Sequence, residues 1–157
     1  MRPNTDPGLD AESERTIGIA LFNHVWTLLE LPDRTAEQDL EMVHAAHASG
    51  YHWMKVGAPV NRSRSEWQVS RVYAVLGRAE PAIWHAKASL AICQREGIGD
   101  WDLGFAYEAL ARAYAVAGDA DEARQWLSQA RAAAADIAED GDRNLLLADL
   151  DTITLPG

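Results

Sequence analysis

Glu41, His44 and His47 stand three residues apart, a spacing that stacks their side chains along one face of a helix. A Glu-x-x-His pair so placed is the ligand set of carboxylate-bridged di-metal bundles, and His24 and His52 are candidates to join it. Such a centre needs a second Glu-x-x-His and two further carboxylates. His24 has Leu21 three residues before it and His85 has Ala82, so the motif occurs once and no metal is expected. His24, Glu41, His44, His47 and His52 are read instead as a polar cluster, its histidines half-buried and bonded to neighbours with Trp53 alongside. Nucleophilic catalysis has no support: there is no Gly-x-Ser-x-Gly, no phosphate loop and no Gly-x-Gly-x-x-Gly. Cys93 is the lone cysteine, and with Gln94-Arg95-Glu96 beside it reads as a small buried hydrophobe. It leaves no intrachain disulfide, which suits a reducing cytoplasm. No cofactor is expected.

Charge narrows the choice of partner. The net charge is −10, carried by the ends: residues 1–50 and 119–157 each hold nine acids and three bases, whereas 51–118 hold six acids and eight bases. Such ends repel a phosphate backbone, so nucleic acid is not the expected partner. Within the middle, residues 55–78 set Lys55, Arg62, Arg64, Arg71 and Arg78 against Glu66 alone. That stretch suits an anionic ligand, or else is a solvated helix face. No apolar run approaches the roughly 18 residues of a membrane span. The opening residues lack the apolar core of a secretion signal and read as a frayed tail.

The elements that must position these residues are helices, because apolar positions recur at helical spacing and strand-like alternation is nearly absent. A flexible tail over residues 1–13 is expected to precede one domain over 14–157. Its first helix runs from about Glu14 to Glu30, ended by Leu31-Pro32. Thr35 caps a second through Val56, with Gly50 as a candidate bend. Ser63 and Glu66 have capping-box spacing for a third, ending near Leu76. Pro81 suits the first turn of a fourth, which stops at Glu96-Gly97. Asp100 or Asp102 opens a fifth, Asp119 and Glu122 cap a sixth to about Glu139, and a seventh follows near 142–153. Short loops make hairpins of 14–57, 60–97 and 100–139.

Two of these hairpins repeat each other. Ser70-Arg71-Val72-Tyr73-Ala74-Val75-Leu76-Gly77 followed by Ala82 lies over Ala111-Arg112-Ala113-Tyr114-Ala115-Val116-Ala117-Gly118 followed by Ala123, 41 residues later without a gap. A fixed period of this size marks stacked hairpins. The order of small residue, tyrosine, glycine and alanine, over about residues 62–138, resembles the tetratricopeptide repeat. That family's period is about 34 residues, so this is similar to a long-helix variant, with the extra residues between Ala82 and Tyr107. The resemblance implies an all-α stack of antiparallel hairpins, about seven helices in a right-handed superhelix.

In tetratricopeptide arrays the first helix of each hairpin lines a concave groove. Carried over, the motif puts Arg64, Trp67 and Arg71 on one unit of that wall and Phe105, Glu108 and Arg112 on the next. Arg71 and Arg112 are equivalent and stack on adjacent helices, an arrangement suited to a carboxylate or phosphate held by forked hydrogen bonds. Glu108, four residues before Arg112, is placed to neutralise it. Trp26, Trp101 and Trp126 read as wedges in the core or between hairpins, and Trp84 and His85 as packing and surface residues. The leading expectation is a non-catalytic module for a protein or peptide that is acidic or carries a free carboxylate. The alternatives are a small-molecule- or metal-binding protein or enzyme with a site near the histidine-bearing first hairpin, and a self-associating homodimer.

Overall fold

The computed structural model describes residues 8–157. Among the described residues there are seven α-helices and no strand: α1 (Ala11–Leu29), α2 (Ala36–Val56), α3 (Pro59–Val75), α4 (Ala79–Glu96), α5 (Asp100–Val116), α6 (Ala120–Ala134) and α7 (Asp140–Asp151). The tail expected over 1–13 lies outside the described residues as far as residue 7. Its remainder is short because Asp10 caps α1, its side chain accepting from the Ser13 N–H at 2.8 Å, so the helix starts ahead of Glu14. At the head of α2, the Thr35 hydroxyl accepts from the Gln38 N–H at 3.2 Å. The Gln38 side chain in turn accepts from the Thr35 N–H at 2.9 Å, leaving two fewer orphan donors.

Two helix ends differ from expectation. Helix α3 begins at Pro59 rather than near Ser63, because Pro59 takes the first helical position and the Asn61 side chain accepts from the Ala58 N–H at 3.1 Å. Ser63 lies within the helix, buried, and its hydroxyl pairs with Ser89 of α4. Helix α6 stops at Ala134, five residues short of Glu139. There the chain turns inward to bury Ile137, and the Arg143 guanidinium donates to the carbonyls of Ile137 at 2.6 Å and Ala134 at 3.3 Å.

The 41-residue repeat reappears as repeated geometry. Gly77 has φ +71° and Gly118 φ +79°, the left-handed region where a side chain is strained. Each ends its helix in the same way: the next residue's N–H donates to the carbonyl of the repeat tyrosine, Arg78 to Tyr73 at 2.8 Å and Asp119 to Tyr114 at 3.0 Å. Ala82 and Ala123, also 41 apart, are both fully buried.

Helices pair as α1–α2, α3–α4 and α5–α6, and the hairpins stack through α2–α3, α4–α5 and α3–α5 contacts. The core follows these seams. Val25, Met42 and Val72 fill the first, Leu90, Cys93 and Leu110 the second. Phe105, Ile137, Leu146 and Leu150 fill the third, where α7 packs on α5 and α6. Gly104 makes that docking close: a Cβ there would stand 2.6 Å from Leu146 Cδ2. No helix among the described residues is long and apolar enough to cross a membrane.

Candidate functional site

Helices α1, α3 and α5 present one wall, and α7 reaches over its end. Between them lies a cavity of about 390 Å³, within the range of small-molecule pockets. Its sides are aromatic. Phe22 and Trp26 come from α1, Trp67 from α3, Trp101 and Phe105 from α5, with Leu145 of α7 at the edge. The rings form a chain. Trp26 and Trp67 lie 5.4 Å apart between centroids, Trp67 and Phe105 5.5 Å at 79°, and Phe105 and Trp101 6.0 Å at 85°. Edge-to-face pairs of this kind hold one another's orientation.

Beneath the rings is a charged network. Glu108 is fully buried and accepts from three donors: the Trp67 indole at 3.0 Å, Arg71 at 3.0 Å and Arg112 at 2.6 Å. Arg71 donates onward to Asp149 of α7 at 2.8 Å, and Arg112 to the Asp149 carbonyl at 3.0 Å and the Thr152 hydroxyl at 2.8 Å. Burial opposes the charge on Arg71, but Glu108 and Asp149 more than offset it, so its pKa stands above the ordinary arginine value. At the other end Arg64 grips Asp102 through Nε at 2.7 Å and Nη2 at 3.0 Å, while its guanidinium lies 4.3 Å over the Trp101 ring. The hydrogen bond to Asp102 raises its pKa.

Of the six wall positions taken from the repeat, Arg64, Trp67, Arg71 and Phe105 line this cavity. Glu108 sits behind it, and Arg112 faces a smaller hollow with Val116 and Ile153. Trp67 and Glu108 are themselves repeat equivalents, 41 residues apart, and bond to each other. Sequence reasoning missed Phe22, Asp102, Leu145 and Asp149. It also read Trp26 and Trp101 as wedges, whereas both are only partly buried and face the cavity. No local signal singled out Asp149, whose partner Arg71 stands 78 residues earlier in the chain.

The histidines expected to cluster are spread over four places. His24 shares a 2.7 Å hydrogen bond with Glu41, His52 pairs with the buried Glu14, and His44 is exposed. His47 shares a 2.7 Å hydrogen bond with the Tyr73 hydroxyl and lies 5.4 Å from His85, which bonds to Glu66 at 2.6 Å. Among the described residues no three His, Cys, Asp or Glu side chains are grouped to hold a metal ion. Cys93 is buried, and that burial pushes its thiol pKa up, away from a reactive thiolate.

His47 is exposed as a residue, but partial desolvation of its ring, with the charge of His85 and against the pull of Glu66, holds its pKa below the usual 6.5. The unfolded chain therefore takes up this proton at higher pH than the native one. Native stability from this group is whole above pH 6.5 and is lost as pH falls through the lower native value. In urea titrations, the drop in midpoint between about pH 7 and pH 5 is expected to shrink in His47→Gln. Equal drops in both chains would refute the assignment.

Fold and site together define an all-α stack of helical hairpins with an aromatic-walled cavity on one face. No protein-family model matches the chain, and neither a curated protein nor a solved structure matches it.

Proposed function

We propose that this protein is a non-catalytic binding module of the tetratricopeptide-like kind, cytoplasmic, which receives a segment of a partner protein in the concave face of a right-handed superhelix. The observation that supports it is the cavity itself: this hollow of about 390 Å³ opens on the wall where the repeat motif puts its contact positions, and four of those six residues line it. Stacked hairpins generate such surfaces by their geometry. Arg71 and Arg112 shape the wall in this reading, being committed to Glu108 and to α7. An apolar side chain of the partner, seated among the rings, supplies the anchor.

Leu145 tests this without disturbing the core, because it borders the cavity and is 62% exposed. Peptides selected from a random library against the wild-type protein are expected to bind Leu145→Glu at least about tenfold more weakly, since the new charge must be desolvated at the cavity edge. The circular dichroism spectrum should be unchanged. Selected peptides that bind both proteins equally would place the contact surface elsewhere.

A further inference from the structure

We infer that the group which fills the cavity is an uncharged aromatic ring system, about the size of two fused rings, rather than an acidic or a cationic one. This rests on the reading of the cavity as the binding site and specifies what enters it. Two arginines, Arg64 and Arg71, line the cavity and Arg112 lies behind them, and three carboxylates answer the three. Arg64 has Asp102, while Arg71 and Arg112 share Glu108 and Asp149. No charge is left over to attract an anion, and an incoming carboxylate would have to displace one already bonded at 2.6–3.0 Å.

A cation fares no better. The place over the Trp101 indole face is taken, because the Arg64 guanidinium already lies 4.3 Å above it. Every carboxylate near the cavity has its arginine. What the walls still offer is ring surface: the chain Trp26–Trp67–Phe105–Trp101, with neighbouring planes at 36°, 79° and 85°, presents both faces and edges to a planar guest. The volume of about 390 Å³ accommodates two fused rings. Arg64 supplies a polar handle. Arg64 bonds Asp102 through Nε and Nη2, which leaves its Nη1 donors for a hydroxyl or carbonyl carried by a neutral guest.

Isothermal titration calorimetry of the full chain with probes that share one naphthalene ring tests this: 2-naphthol, 2-naphthoate and 2-naphthylmethylammonium. The neutral probe is expected to bind one to one, at least about tenfold tighter than either ion, because each ion loses hydration without gaining a free counter-charge. Trp101→Ala, at a half-buried wall position, should weaken the neutral probe about tenfold. The ranking of the three probes on the wild-type protein stands as a test even if that variant folds poorly. Preference for either ion overturns the inference while leaving the cavity as a binding site. No heat from any probe overturns both. A fourth probe, N-acetylphenylalaninamide, separates the sources of the ring. Binding comparable to 2-naphthol assigns it to a peptide side chain, its absence beside 2-naphthol binding to a free small molecule, and either result upholds the neutral aromatic class.

Discussion

Glu108→Ala is expected to destabilise the protein by about 3–5 kcal/mol, the largest effect of any single substitution on the wall. The carboxylate is fully buried and is the shared acceptor for Trp67, Arg71 and Arg112. Removing it leaves two guanidiniums, each with a side chain only about one-sixth exposed, with less than their full complement of negative partners. It also leaves the Trp67 indole N–H without its acceptor. The penalty is that of orphaned buried charge, which exceeds the net worth of the pair when intact. Glu108→Gln keeps the shape but replaces one acceptor with a donor facing other donors, so it should recover only part of the loss. Urea unfolding followed by circular dichroism measures both. A loss below about 1 kcal/mol for the alanine variant would mean the network contributes no more than a surface ion pair.

The second large effect concerns the attachment of α7. Leu146 is fully buried among Phe105, Ile137 and Leu150, and Leu146→Ala is expected to cost about 2–5 kcal/mol through lost burial and the cavity left behind. The partner position gives this a sharper form. In the wild-type protein an added Cβ at Gly104 would meet Leu146 Cδ2 at 2.6 Å, so Gly104→Ala forces the leucine to shift and offsets what alanine gains in helix propensity. With Leu146 truncated, that obstacle is gone and the new methyl fills part of the void. Gly104→Ala should therefore be clearly more favourable in the Leu146→Ala background than alone, with a coupling of roughly 1 kcal/mol. Additive effects would show that α7 does not pack on α5 through this contact.

Much of the architecture could be read without coordinates because its signals are local. Thr35, Asp119 with Glu122, and Gly97 act within one turn of where they sit, and all mark observed helix ends. The 41-residue recurrence of Tyr73 and Gly77 at Tyr114 and Gly118 holds for a similar reason, since each pair closes the same tight turn. Local signals also misled. Ser63 and Glu66 have the spacing of a helix start, yet Pro59 begins the helix four residues earlier and Ser63 turns inward to Ser89. The evenly spaced Glu41, His44 and His47 share a helix, but their partners sit on different neighbours, His24 on α1 and Tyr73 on α3.

The site was half visible. Arg64, Trp67, Arg71 and Phe105 could be assigned to one wall because the repeat register carries a face along with it. What the arginines do there could not, since Arg71 meets Asp149 across 78 residues of chain and nothing local links the two. Helix type, helix ends and the repeated turn come from interactions within a few residues, and the order of amino acids is enough to specify them. The path of α7 across the end of the wall, the one-for-one neutralisation of the arginines, and the ring-lined hollow left between helices all depend on which distant surfaces come to rest together. Packing in three dimensions alone settles that.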